Sequence, residues 1–341
     1  MVIASPAEPN ATIDTRVQAL EKAVQSAIEA GSADPSRVYL AGRGDATAAV
    51  FYAVSRVPDL WAAAVALGGS PQPAMDSGGL YSANFRNVPI LWAGASPDDS
   101  ATAEILRAAG LLLEFRPAVG LTPGTVFDWL AKHSREPFPA AIDCETNSPQ
   151  FASCYWIHMT KFDAGERNDV LDSTRIQPHI TAALDLGGFG FKKDDPGPGV
   201  LVSYLPSKYS GPLKMGDRII AVDGRDIPDA PRYIVLMAQI TEERPAVVML
   251  QRGKERTRIE TRIVFPKAPS GITARAQAEF LPEDKEIQIV SRTVTEMRVE
   301  IPAQWIPGTL NWNGVPLEQI EKPGCRLLTM DKAIQKASAC P

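Results

Sequence analysis

At 341 residues the chain is longer than one common domain, so two or three compact units are expected. Its composition, 45% hydrophobic and 22% charged, is that of ordinary globular protein, and no apolar run is long enough to cross a bilayer as a helix. A formal net charge of -5 offers no basic field for phosphates, which counts against nucleic acid as a partner and leaves the cluster from Arg252 to Arg262 as a solvated strand edge.

The opening MVIASPAEPN reads as a strand and loop inside a fold rather than an export signal, so preceding segments are expected. Thr12 to Ala30 sets Val17, Leu20, Val24 and Ile28 at helical spacing. After a turn at Asp34-Pro35 come four apolar runs: VYLAG from Val38, AAAVALGG from Ala62, VPILWAGA from Val88 and LLLEFRPA from Leu111. Helical composition fills Asp45 to Val57 and Ser100 to Ala109, and a closing helix over Thr125 to Ser134 lines up Phe127, Leu130 and Ala131. Strand and helix alternate, which predicts a parallel sheet covered on both faces.

After Pro137 the pattern changes. From Ala152 onward short runs dominate: CYWIHMTKF, GVLVSYL, RIIAV, AVVMLQR, TRIETRIVF, KEIQIVS and TEMRVEI, with one helix around Ala230 to Ile240. The expected fold class is therefore α/β plus mostly β. Cys144, Cys154, Cys325 and Cys340 lack the paired spacing of zinc sites and have no neighbouring histidine, so neither metal nor cofactor is expected. Cys144 and Cys154 are open to a disulfide in an oxidising compartment or to free buried thiols.

Three stretches of the first half carry a resemblance: DPSRVYLAGRGDATAAVFYAVSRVPDLWAAAVALGG, VPILWAGASPDD and TVFDWLAKHSREPFP. Residues 1–137 resemble the α/β-hydrolase superfamily, in particular secreted esterases of the polyester-depolymerase and feruloyl-esterase type, which implies a periplasmic or secreted location. In that family the turn after the strand is G-x-S-x-G, whose small residues let the serine stand above the sheet. Here the register gives Gly42-Arg43-Gly44-Asp45-Ala46, and Gly44 has no side chain with which to attack. Making Asp45 the nucleophile would put Arg43 where a small residue is needed. The loop that should supply histidine offers Gly120 and Leu121, His133 reads as helix surface, and His158 and His179 belong to the β half. Asp98 or Asp99 fits the acid position but has no base to orient. Ser70 in LGGS reads as a strand-end loop.

In the second half, LDLGGFGFKKDDPGPGVLVSYL leads to GPLKMGDRIIAVDG and DAPRYIVLMAQI. This succession, over residues 177–267, resembles a PDZ domain, a partly open β-barrel with helices. Gly188-Phe189-Gly190-Phe191 stands where the family has its carboxylate-binding loop. Glycines let successive N–H groups converge on an anion without a basic side chain. Asp223-Gly224 is a two-residue hairpin signal. Tyr233, Leu236, Met237 and Ile240 form a helical stripe, partly core, from which Tyr233, Leu236 and Ile240 are expected to line the groove. Residues 138–176 and 268–330 resemble the β-sandwich-like domain appended to some of these esterases, with a final turn at Asn313-Gly314 and the PDZ-like segment inserted. Its Tyr155, Trp156, Trp305 and Trp312 read as core in preference to a carbohydrate platform.

The function expected is capture of a peptide or protein C-terminus by a PDZ-like module on a catalytically inactive hydrolase-like scaffold. The alternative is an esterase or peptidase acting through an unrecognised site or through segments upstream of Met1. A third possibility is a groove filled by the protein itself.

Overall fold

The computed structural model describes residues 12–94, 96, 99–116, 121–166, 168, 170–176, 181–192, 195–265, 272–332 and 334–341. The opening strand, Asp98, Gly120, His179 and Lys267 lie outside them. The architecture is mixed α/β with mostly β sheets.

The chain begins with α1 (Ile13–Glu29), β1 (Tyr39–Arg43), α2 (Ala46–Arg56), β2 (Ala63–Leu67), α3 (Gln72–Asp76), β3 (Ile90–Ala93), α4 (Ser100–Ala108), β4 (Leu113–Arg116) and α5 (Pro123–Leu130). The four apolar runs form a parallel sheet in the order β1-β2-β3-β4. Successive strand residues face opposite sides. Ala64, Ala66, Ile90 and Trp92 join Val17, Val50, Phe51 and Leu106 in one core, while Ala63, Val65, Leu91 and Ala93 pack on Trp129 and Leu130 of α5. The expected stripe on that helix is rotated: Phe127 is 60% exposed. A capping box between Thr122 and Thr125 fixes its start, and Trp129 Nε1 donates to Glu114 Oε2 at 2.7 Å, turning Trp129 inward and Phe127 out.

The chain next lays down β5 (Ala141–Thr146), β6 (Ser153–Cys154) and β7 (Ile157–Phe162). It then enters the second of its two compact units, His179–Ser270; the first comprises Met1–Pro178 and Gly271–Pro341. In the second unit β8 (Ala183–Leu184), β9 (Gly190–Phe191), β10 (Val200–Tyr204), β11 (Arg218–Val222), β12 (Arg225–Asp226), α6 (Ala230–Ala238), β13 (Arg244–Arg252) and β14 (Glu255–Val264) follow one another. The sheet runs β8-β14-β13-β11-β10-β9 with β12 on β11, and it curls into a half-barrel. Tyr233 and Met237 of α6 fill the hollow with Val200, Val202, Ile219, Val248 and Leu250. Asp223 and Gly224, at φ of 48° and 75°, form the two-residue turn between β11 and β12. Buried Asp217 takes two hydrogen bonds from Arg252 and one from the Lys214 N–H, which places the turn before β11.

Back in the first unit, β15 (Ala274–Leu281), β16 (Glu286–Arg292), β17 (Val294–Ile301), β18 (Gly308–Trp312), β19 (Val315–Ile320), β20 (Gly324–Asp331) and β21 (Ile334–Ala339) complete the chain. Two five-stranded sheets, β19-β18-β16-β15-β5 and β21-β20-β17-β7-β6, share one core. Trp156, Trp305 and Trp312 are buried in it, and Tyr155 is half-buried against it. The cysteines correct the open reading, because none is a free thiol. Cys144 on β5 bonds to Cys154 on β6, joining the two sheets through their core, and Cys325 bonds to Cys340 at the β20–β21 pair.

The parallel sheet meets the β sheets through a polar seam. Asn84 pairs with the backbone of Glu145 in both directions, at 2.8 and 2.7 Å, and also reaches the Ser55 carbonyl. Tyr155, on the turn between β6 and β7, donates its hydroxyl to Pro58 O at 3.3 Å, and Arg135 Nη1 donates to Asp59 O at 2.8 Å. Burial pushes the Asp59 carboxyl up to about 6, against the lowering effects of its own backbone N–H, Arg135 and the Tyr155 N–H; Glu21 adds to the rise. An acid whose folded value exceeds its ordinary one favours the fold when protonated, so this penalty is complete above pH 6 and fades as pH falls toward 4. Asp59→Asn is therefore expected to raise the unfolding temperature at pH 8, with a gain that shrinks to nothing near pH 4. Thermal unfolding across that range checks it, and a variant less stable than wild type at pH 8 would reverse the assignment.

Candidate functional site

Two places in the sequence draw attention as sites, the turn around Gly44 and the loop around Gly188. The structure treats them differently.

Gly44 sits at the C-terminal end of β1 with φ of 60°, a left-handed conformation that glycine adopts freely. Its N–H donates to Leu67 O at 2.9 Å, and its carbonyl accepts from the Thr47 N–H at 3.0 Å. The loop after β2 closes over it: a Cβ at Gly69 would lie 2.1 Å from Gly44 O, so Gly69 is held to glycine by close approach. Thr47 Oγ1 donates to Gly68 O in the same contact. Gly42 is equally confined, a Cβ there falling 2.8 Å from Ala46 O. Arg43 and Asp45 are exposed.

No described histidine reaches this turn. His133 lies where β1 begins: its carbonyl accepts from Tyr39 Oη at 2.9 Å, and its ring packs at a tilt against Trp129, centroids 4.4 Å apart. Four strand steps of about 3.3 Å separate Tyr39 from Arg43, so that end is about 13 Å from the turn. His158, on β7, is bonded through Nδ1 to Ser153 Oγ at 2.7 Å and stands beside Arg298. Leu121 packs under α5, Asp99 Oδ2 accepts from the Ser96 N–H at 3.0 Å, and Ser70 Oγ accepts from the Gln72 N–H at 3.2 Å.

The second loop has a built floor. Leu186 is buried, and Tyr209 Oη donates to its carbonyl at 2.6 Å while accepting from the Leu213 N–H at 3.0 Å. The tyrosine ring lies under Gly187, where a Cβ would be 3.0 Å from Cε2. From there Gly187 and Gly188, at φ of 80° and 78°, carry the chain into β9. Among the described residues, the N–H groups of Gly187, Gly188 and Phe189 donate to no backbone or side-chain acceptor. Phe189 and Phe191 stand 6.2 Å apart, ring centroid to centroid, and Phe191 meets Tyr233 edge-on at 5.5 Å. Among the described residues β9 ends the sheet, paired with β10 on one side only.

Gly188, Phe189, Gly190, Phe191 and Tyr233 are thus brought together. Leu236, on α6, and Ile240, just beyond it, are half-buried against the same core as Phe189 and Phe191, and they also line a cleft of about 350 Å³ with Val222, Asp223, Arg225 and Arg244. At about 100° per residue, Ile234 falls on the opposite flank and is 37% exposed. Sequence reasoning missed Tyr209, whose hydroxyl bonds are tertiary and leave no periodic trace. It also missed the exposed Tyr204 across from Gly190. No group of histidines, cysteines or carboxylates among the described residues is arranged to hold a metal ion.

Neither a protein-family model nor a curated protein matches the chain. A solved HtrA-type protease with a decapeptide is similar over 27% of this chain and 31% of its own, at 18% identity and a TM-score of 0.21. The chain thus spans under a third of that protease's length.

Two outcomes follow from the geometry. Gly44→Ser has open space for its side chain but needs a left-handed serine, so it should cost on the order of 1–2 kcal/mol and produce no turnover of short acyl esters. Labelling of that serine by a phosphonate would show a base that the fold does not display. Tyr209→Phe removes one donor and one acceptor from the loop floor and should cost about 1–3 kcal/mol, with faster amide exchange from Gly187 to Phe189. Unchanged exchange there would mean that the hydroxyl does not hold the loop.

Proposed function

We propose that the second unit is a PDZ-like module that binds the C-terminus of an extended peptide, adding it as a strand beside β9. The observation that carries this reading is the edge of β9, unpaired among the described residues, next to a loop whose Gly187, Gly188 and Phe189 N–H groups have no acceptor among them. An exposed strand edge is a template for pairing, and strand addition lets the backbone supply affinity while alternate side chains supply specificity. The terminal carboxylate would sit in the hollow from Gly188 to Phe191, where converging N–H dipoles complement its charge. With the carboxylate at the start of β9, the peptide runs antiparallel to it. An apolar last side chain would rest on Phe189 and Phe191 over Tyr233. Leu236 and Ile240, packed on the same core as Phe189 and Phe191, would complete the groove wall.

In the same reading the parallel-sheet part is an α/β-hydrolase-like scaffold without its catalytic residues, and the paired five-stranded sheets are a β-sandwich-like domain hosting the inserted module. The two disulfides suit an oxidising compartment, periplasmic or extracellular. Such short grooves bind a few residues, so affinity is expected on the order of micromolar.

Titration of matched free-acid and amidated peptide libraries tests the reading. Free acids should bind, amides should bind at least tenfold more weakly, and Gly190→Asp should bind neither, since its Cβ would press on Tyr204 Cβ from 2.9 Å and its charge would repel the carboxylate. Equal binding of acids and amides would remove carboxylate recognition. Binding of neither would leave the groove a structural feature.

A further inference from the structure

β9 ends at Phe191, which pairs with the core residue Val202 and so faces inward. The next residue, Lys192, is exposed, and alternation turns it to the outer face, one step along the ladder toward Leu201. Leu201 in turn pairs with Arg218 of β11, whose neighbour Ile219 is buried, so Arg218 stands on the outer face too. Arg218 donates twice to Asp195, at 2.7 and 3.3 Å, and the Gly197 N–H donates to the same carboxylate at 3.0 Å. These hydrogen bonds, Arg218 first, and then the nearby charges of Arg218 and Lys192 hold the Asp195 carboxyl below its ordinary range. Two cations and one carboxylate thus share this end of the sheet. Asp195 is already committed to Arg218, and among the described residues Lys192 forms no ion pair of its own.

With its carboxylate in the Gly188–Phe191 hollow, an antiparallel peptide sets its last residue beside Phe191 and its penultimate residue beside Lys192. Neighbours across a ladder share a face, so the last side chain turns inward and the penultimate one outward, with Lys192. Resting on the peptide-binding reading above, we infer that Lys192 pairs with the penultimate side chain and selects a carboxylate there, so that the ligands end in an acidic and then an apolar residue. Opposite charges directly across a ladder attract, and like charges there repel. The opposing role is diffuse. Residues 179–270 carry 14 Lys and Arg against 11 Asp and Glu, and such a field draws an acidic peptide wherever its charge lies.

Free-acid peptide libraries with the penultimate residue fixed as glutamate, glutamine or lysine separate these roles, titrated against the full chain by fluorescence anisotropy at low salt. Wild type should bind the glutamate library about threefold more tightly than the glutamine library, the size of one exposed ion pair, and the lysine library most weakly. Lys192→Met should bind glutamate and glutamine alike, and Lys192→Glu should put lysine first. Their unfolding temperatures, measured beside wild type, confirm that both variants are folded. A further library with glutamate fixed third from the end, where the side chain turns inward, should show no gain over glutamine there. An equal gain at that position, equal binding of penultimate glutamate and glutamine by wild type, or a ranking that Lys192→Glu leaves unchanged overturns this inference alone. Failure of every library to bind wild type overturns the peptide-binding reading, and this inference with it.

Discussion

One buried carboxylate governs how the chain can leave its first unit and come back. Glu145 is almost wholly buried on β5 and accepts from Ser173 Oγ, the Thr174 N–H and Thr174 Oγ1 on the departing segment, and from Thr273 Oγ1 on the returning one. Arg292 approaches it at 3.4 Å and also donates to Leu171 O, while Arg275, paired with Asp143, donates to Asp172 O. A carboxylate out of water costs several kcal/mol unless its oxygens are satisfied, and here both segments are recruited to satisfy them. Residues before and after 179–270 are thereby tied to one carboxylate. A unit inserted in a host needs the host's two segments to meet, and β5, before it, pairs directly with β15, after it.

Glycine decides the character of both candidate sites, in opposite senses. At Gly44 it completes a tight turn under the loop after β2 and leaves nothing that could attack a substrate. At Gly187 and Gly188 it turns the backbone so that N–H groups have no partner among the described residues, and at Gly190 it clears the outer face of an edge strand. Gly187 and Gly188 are exposed, so their N–H groups are open to an anion arriving from solvent. Their presence beside an open edge and two half-buried phenylalanines is the physical content of the binding proposal.

Much of this was legible in the sequence. The four apolar runs became the parallel sheet because alternating strand and helix composition permits few other arrangements, and Asp223-Gly224 and Asn313-Gly314 became tight turns because positive φ favours those residues. What escaped was tertiary. The rotation of α5 depends on Trp129 reaching Glu114, the floor of the glycine loop on the Tyr209 hydroxyl, and the pairing of the cysteines on how strands meet, across two sheets for Cys144 and Cys154 and beside the β20–β21 pair for Cys325 and Cys340.

The central claim is that β9 accepts a peptide strand whose carboxylate enters the Gly188–Phe191 hollow. A diffraction structure of the chain with a free-acid peptide tests it most directly. The account predicts a peptide strand antiparallel to β9, with its carboxylate within hydrogen-bond distance of those N–H groups and its last side chain against Phe189 and Phe191. A peptide bound elsewhere, or an edge already paired with a segment of the same chain, would contradict it.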